Sequence, residues 1–222
     1  MNTYILHIDT ALTTAIAALS MNGQYIASRE NHQQKDHSAF IHQAISDLLD
    51  EASISPSNLQ AVAVTEGPGS YTGLRVGMST AKGFCFALHI PLITINNLWL
   101  MASASVKQNG MNHALYCPMI DARRMEVFTA VYDYEMNEMI TPRAMILDQH
   151  AFSEYIHKQP VIFSGNGSGK FKEIVSHPNA IFVEMVNTTE AFIQRAYEKY
   201  LSNDFASVVD ANPFYAKEFY NV

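Results

Sequence analysis

The run Ala61-Val62-Ala63-Val64-Thr65-Glu66-Gly67-Pro68-Gly69-Ser70-Tyr71-Thr72-Gly73-Leu74-Arg75-Val76-Gly77 constrains the fold more than any other stretch of this chain. Ala61 to Thr65 is a short apolar run with alternating valines, the pattern of a buried strand. The Gly-Pro-Gly after it ends the strand and permits a turn that residues carrying a Cβ resist. From Thr72 onward the chain reads as helix. Gly73, Gly77 and Ala81 recur every four residues and share one side of it, where another backbone can come close. Glycine inside a helix costs up to about 1 kcal/mol relative to alanine, so Gly73, Gly77 and Gly83 imply close packing that offsets the loss. An adjacent side carries Val76, Thr80, Gly83 and Ala87, giving more close-contact surface than one sheet can use. One side is expected on the sheet and the other on a partner.

A glycine loop between strand and helix also suggests phosphate binding, because helix N-terminal amides favour anions. Both standard templates fail. A P-loop ends in Gly-Lys-Ser/Thr, whereas this loop ends Gly73-Leu74-Arg75. A dinucleotide fingerprint needs an acidic residue about 20 positions on, and no Asp or Glu occurs between Glu66 and Asp121. A glycine-lined helix packed on its own sheet or on a neighbour is the stronger reading.

The 222 residues suffice for two modest lobes, and 48% of them are apolar, ample for packed cores. No apolar run reaches the length of a membrane span, and Met1-Asn2-Thr3-Tyr4 enters a strand without a basic leader, so a cytoplasmic protein with no membrane partner is expected. Cys85 and Cys117 fall in helix and strand patterns, which favours core thiols over a disulfide. A formal charge of −7 argues against an overall basic nucleic-acid surface. Between Gly67 and Ile120 the only charged side chains are Arg75, Lys82 and Lys107, so an anionic partner is expected near that segment.

Each half of the chain begins with strands and continues with helices. Tyr4 to Asp9, Thr14 to Ser20 and Gln24 to Arg29 read as a three-stranded meander. Ser38 is a candidate cap for a helix whose stripe is Phe40, Ile41, Ile45, Leu48 and Leu49. Pro91 to Ile95 is a strand and Leu98 to Val106 a helix. The polar stretch Lys107 to Asn112 is the expected lobe boundary, giving lobes 1–106 and 107–222 with the C-terminal segment free to return to the first. In the second half Tyr116 to Asp121 again ends in an acid. Met125 to Tyr134, Met139 to Leu147, Val161 to Phe163 and Ile181 to Val183 read as strands, and Ala151 to Lys158 and Thr189 to Leu201 as helices. The expected class is α/β with two duplicated lobes.

Ile8-Asp9-Thr10, the run Thr65 to Gly77, and the late Asn212-Pro213-Phe214-Tyr215 resemble the TsaB (YeaZ) family. The likeness covers most of the chain and is densest from Asp9 to Trp99. It implies a two-lobed actin-like ATPase (ASKHA) fold with mixed-sheet lobes. It further implies a non-catalytic role in bacterial tRNA threonylcarbamoyladenosine formation, next to the anticodon, as partner of the catalytic paralogue TsaD, with a TsaE-type ATPase and with tRNA engaged indirectly. Its implied helical-bundle interface falls on Phe40, Ile41, Ala44 and Leu48 of one helix and Thr72, Gly73, Val76, Gly77, Thr80, Gly83 and Ala87 of the next. A homodimer through the same surface is implied when the partner is absent.

In TsaD-type proteins two histidines four residues apart hold a metal, and by position they fall here on Asn97 and Met101. An amide and a thioether serve such a metal poorly. His32, His37 and His42 are five residues apart and do not share a helical face, so solvent-facing or capping roles are expected and no metal is assigned. Asp9 and Asp121 end equivalent strands, where actin-like ATPases place carboxylates around phosphates; Asp9, Thr10, Asp121, Gly165, Asn166 and Gly167 are the candidate nucleotide positions. Thr10-Ala11-Leu12-Thr13 nevertheless lacks the glycine that lets amides approach a phosphate. Strand-end capping by both acids and a surface turn at 164–167 are the competing readings. No cofactor is expected on the isolated chain, and ATP or ADP only within the complex. The alternative functions are an ATP-dependent kinase of the same fold and a peptidase. The latter would need a nucleophile such as Ser70 beside a histidine.

Overall fold

In the computed structural model the described residues are 2–33, 36–184 and 187–217. The chain opens with β1 (Tyr4–Asp9), β2 (Ala15–Met21) and β3 (Gln24–Asn31), an antiparallel meander in which Tyr4 lies opposite Met21 and Asp9 opposite Ile16. Asn22 and Gly23 both take positive φ between β2 and β3, the backbone a two-residue hairpin requires. Then come α1 (His37–Glu51), β4 (Leu59–Gly67), α2 (Tyr71–Leu88) and β5 (Leu92–Asn96). β4 pairs parallel to β1 and β5 parallel to β4, so the sheet order is β3-β2-β1-β4-β5.

Side-chain alternation along β1 decides which helix covers which face. Leu6 and Ile8 enter a core with Ile41, Ile45 and Leu48 of α1 and Met78 and Ala81 of α2. His7 points the other way, onto Phe192 of the last helix, α6 (Thr189–Leu201). The late segment 189–214 accordingly groups with residues 2–97. Ala206 also bridges to Leu92 at the edge of β5.

The second unit comprises residues 98–188 and 215–217 among those described. After α3 (Asn97–Asn109) it contains β6 (Leu115–Asp121), β7 (Glu126–Tyr132), β8 (Glu138–Ile146), α4 (Ser153–Ile156), β9 (Val161–Ser164), α5 (Ser168–Lys172) and β10 (Ala180–Phe182). Its sheet runs β8-β7-β6-β9-β10, antiparallel through β6, β7 and β8 and parallel through β6, β9 and β10. The order and directions repeat those of the first sheet, so the expected duplicated α/β architecture is present. Phe152, Phe163 and Phe171 pack edge to face at ring separations of 5.0–5.5 Å and fill this core.

Several local expectations change. α1 starts at His37 after Asp36, not at Ser38, and no side chain caps it. α2 starts at Tyr71, one residue early, because Ser70 supplies the N-cap. The division between units falls at 97/98, not at 107–112, since α3 continues unbroken through Asn109, whose side-chain amide donates back to the Ser105 carbonyl at 2.8 Å. Among the described residues no helix is long and apolar enough to cross a membrane.

Candidate functional site

The start of α2 is fastened to the β1–β2 turn. The Ser70 amide donates to the Ala11 carbonyl at 2.7 Å, the Ser70 hydroxyl accepts from the Gly73 amide at 3.3 Å, and the Thr10 hydroxyl donates to the Gly73 carbonyl at 2.6 Å. A Cβ on Gly73 would collide with the Thr10 carbonyl oxygen, and one on Gly77 would lie 2.5 Å from the Thr10 hydroxyl. Gly73, Gly77 and Ala81 are therefore consumed by the protein's own sheet. Gly83, by contrast, has nothing within 4 Å of where its Cβ would stand.

This geometry corrects the expected interface. Ile41, Ala44 and Leu48 are buried in the first core, and Gly73 and Gly77 against β1, so these five offer no outward surface. The helical period explains it, since the stripe that meets the sheet cannot also meet a partner. Thr72, Gly83 and Ala87 are exposed, Phe40 and Val76 half-buried, and Thr80 only 8% accessible. Phe86, 75% exposed, belongs to the same outer side of α2 and was missed, although it stands three residues after Gly83. Ser38 and His42 of α1 and Thr72, Val76 and Ser79 of α2 line a shallow depression of about 440 Å³. At its edge the Arg75 guanidinium sits 4.0 Å over the Tyr71 ring.

The candidate nucleotide positions divide between the units. Asp9 is buried, and its Oδ1 accepts from the Ala11 amide at 2.9 Å and the Thr65 hydroxyl at 2.8 Å. Burial pushes its carboxyl above the usual range despite those bonds. Asp9 thus ties off the strand end, and the Thr10 hydroxyl is committed to Gly73. Asp121 is exposed. Desolvation would raise its carboxyl, but Lys170 Nζ at 2.8 Å and the Arg123 amide at 2.6 Å outweigh it and hold it below the usual range. Asn166 accepts from the Asp121 amide at 2.9 Å, and the Gly167 amide donates to the Met119 carbonyl at 3.0 Å. Gly165, at φ +93°, presses so closely on Met119 and Met101 that a Cβ would not fit. The 164–167 turn is docked on the end of β6 and is not a free surface loop.

His37 is buried, with Nε2 3.2 Å from the Thr13 carbonyl, and neither faces solvent nor caps α1. His32 meets the Thr14 hydroxyl at 3.0 Å, and His42 is exposed. Among the described residues no three His, Cys, Asp or Glu side chains are placed to hold a metal. Asn97 and Met101 are both buried, and neither polar atom of the Asn97 amide finds a partner among the described residues. Ser70 spends its hydroxyl as a helix cap. Burial pushes the Cys85 and Cys117 thiols up to about 12.

Residues 24–221 match the family model described as "TsaD: tRNA N6-adenosine threonylcarbamoyltransferase". The chain is 31% identical over 174 residues to the tRNA threonylcarbamoyladenosine biosynthesis protein TsaB of Bacillus subtilis, covering 77% of this chain and 74% of that protein. It is 34% identical over 133 residues to the Escherichia coli protein of the same name, covering 60% of this chain and 56% of the relative. Among solved structures, a Pseudomonas aeruginosa protein with similarity to peptidase YeaZ superposes at TM-score 0.83 and 21% identity, over 97% of this chain and all of the other. YeaZ from the same organism superposes at 0.78 and 23%, over 96% and 99%. An inorganic polyphosphate/ATP-glucomannokinase from Arthrobacter sp. strain KM gives 0.50 at 12%, over 90% and 99%. These likenesses carry the two-lobed actin-like fold alone. The sequence matches carry more, and on them the chain belongs to the TsaB (YeaZ) family of tRNA threonylcarbamoyladenosine biosynthesis proteins.

Proposed function

We propose that this chain is a non-catalytic assembly and activating subunit of the bacterial tRNA threonylcarbamoyladenosine modification complex, acting in the cytoplasm as partner of a TsaD-type subunit. The carrying observation is the outer side of α2. Gly83 has open space around it, so the protein's own packing does not explain a glycine in mid-helix at a cost of about 1 kcal/mol. With exposed Phe86 and Ala87 it forms a smooth apolar strip on which a second helix can lie closely. A TsaD-type paralogue, built on the same fold, is the proposed occupant, and a second copy of this chain takes its place when the paralogue is absent. A TsaE-type ATPase completes the assembly, and tRNA is engaged through the complex.

Side-chain chemistry supports a non-catalytic role for this subunit. By the family resemblance Asn97 and Met101 fall where the paralogue's metal-binding histidines would be, and Asp9 and Thr10 are bound up in the β1–β2 turn. We therefore assign no cofactor to the isolated chain and place ATP or ADP in the complex. A kinase reading would need amides at that turn aimed at a phosphate, and the Ala11 amide is already held by Asp9; a peptidase reading would need a base beside Ser70, whose hydroxyl accepts from the Gly73 amide as a helix cap.

The test compares Gly83→Trp with Gly83→Ala. Overpacking a close helix contact costs about 1–3 kcal/mol, equivalent to about 5- to 150-fold in Kd. Gly83→Trp is expected to keep the circular dichroism of the parent and to lose co-elution with a TsaD-type protein, while Gly83→Ala keeps both. Undiminished binding by the tryptophan variant would place the interface elsewhere.

A further inference from the structure

The β6–β7 hairpin of the second unit carries a feature that the α2 interface leaves unused. Arg123 and Arg124 are consecutive, exposed, and held at φ +69° and +47°, a left-handed backbone that side-chain-bearing residues rarely adopt. Glycine or asparagine would suit that backbone better, yet two long cations occupy it. Neither guanidinium has a hydrogen-bond or ion-pair partner among the described residues, although Arg123 lies near the Asp121 carboxylate. That carboxylate is itself held by Lys170 at 2.8 Å.

The two arginines line an open cavity of about 630 Å³ together with Lys217, Glu126, Met125 and Ile146. Lys217 pairs with Glu126 at 2.6 Å, so three cations face one carboxylate in a chain whose net charge is −7. Ile146 is 75% and Met125 39% exposed, giving an apolar rim beside the guanidinium groups. A planar guanidinium matches phosphate oxygens two at a time, and the apolar rim suits the sugar and base edges that flank a phosphodiester. Among the described residues no aromatic ring lines the cavity to stack an isolated base, which favours a strand backbone over a free nucleotide.

We propose that this hairpin contacts the phosphate backbone of the tRNA directly, with Arg123 and Arg124 as the primary phosphate ligands and Lys217 as the third cation. The inference rests on the role in tRNA modification proposed above and goes beyond it, because there tRNA is engaged only through the complex. Among the described residues Glu126 is the one acid lining the cavity, and it weakens the site by neutralising Lys217.

The experiment uses the complex of the full chain with its TsaD-type partner and an unmodified tRNA transcript, with affinity measured across a salt series. Each lost phosphate contact lowers the slope of log K against log salt by about 0.7–0.9. Arg123→Gln with Arg124→Gln is therefore expected to flatten it by about 1.4–1.8. Affinity at low salt should fall by about tenfold per arginine, the size of a charge-assisted hydrogen bond. Glu126→Gln should move binding the other way, a gain that a merely damaged hairpin would not produce. Lys158→Gln, on the same unit, should change neither. A parental slope and affinity in the arginine double variant overturns the proposal, as does a failure of Glu126→Gln to tighten binding. Failure of the chain to bind the TsaD-type subunit at all would sink the earlier reading instead. Assembly read by size exclusion separates the two.

Discussion

Gly77→Ala and Gly83→Ala add the same methyl group to α2 and should move stability in opposite directions. In either case alanine is favoured over glycine by about 0.5–1 kcal/mol in a helix interior. At Gly83 that gain stands alone, because the new Cβ meets nothing within 4 Å. At Gly77 the Cβ would lie 2.5 Å from the Thr10 hydroxyl and 3.5 Å from methyl carbons of Ile8 and Val64. The hydroxyl cannot turn aside without surrendering its 2.6 Å bond to the Gly73 carbonyl. Thr10 is 1% exposed, so water cannot replace that bond. Overpacking costs about 1–3 kcal/mol and a buried group left unsatisfied about 1–3 more. Against the propensity gain, a net loss of about 1–5 kcal/mol is expected. At about 2–4 °C per kcal/mol for a chain of this size, Tm should fall by about 2–20 °C in Gly77→Ala and rise by about 1–4 °C in Gly83→Ala. Thermal melts followed by far-ultraviolet circular dichroism, supported by urea midpoints, measure both. A Gly77→Ala protein at least as stable as the parent would refute the seam, and the glycine spacing would then have to serve an outside partner.

Two further outcomes follow from buried groups. His7 is fully buried between Ser20, 2.8 Å from Nε2, and the Phe192 ring, and desolvation pushes its pKa from 6.5 down to about 3. Because the unfolded chain then binds the proton more readily, His7's contribution is full above about pH 6.5 and falls by about 1.4 kcal/mol per pH unit toward pH 3. Urea midpoints at pH 7 and 5 should show this loss, and His7→Asn should flatten it. The buried Cys85 and Cys117 thiols, pushed up to about 12, should resist alkylation at pH 8 until the chain is unfolded. Labelling of either native thiol within minutes would contradict that burial.

The strands were legible because alternation and turn residues agree locally: Tyr4–Asp9 and Leu92–Asn96 fall within a residue of expectation, and the Asn22-Gly23 turn is where its dipeptide implies. The TsaB resemblance was legible in the glycine run. Which of the expected interface positions face outward was only partly so. Ile41, Ala44 and Leu48 form an apolar stripe, but a stripe does not say whether the sheet or a partner covers it, and here the sheet does. Spacing put Gly77 and Gly83 on different sides of α2 but could not say which side the sheet covers, since only the position of Thr10 makes one crowded and the other open. His37 looked like a cap because it adjoins Ser38, whereas burial against the Thr13 carbonyl is a tertiary effect. The Arg123-Arg124 pair carried a signal that was passed over, two cations at a hairpin tip where glycine or asparagine is usual.

The two sheets share one topology, yet their equivalent strand ends have opposite chemistry, and the difference traces to the helix that follows. In the first unit α2 runs 18 residues, and its glycines let it settle onto the β1–β2 turn. Asp9, at the end of β1, is buried there, and the opposite side of α2 faces outward. In the second unit α5 has five residues and reaches the end of β6 through the long Lys170 side chain instead. Asp121 stays exposed and ionised, and the hairpin beyond it remains open with both arginines outward. The two units thus share one frame and differ in the length and glycine content of this helix. On the readings proposed above, the closed turn leaves the outer side of α2 to a protein partner and the open one leaves cations to an anion. Substitutions at Gly83 and at Arg123 and Arg124 should accordingly separate the two proposed binding roles, each sparing the other.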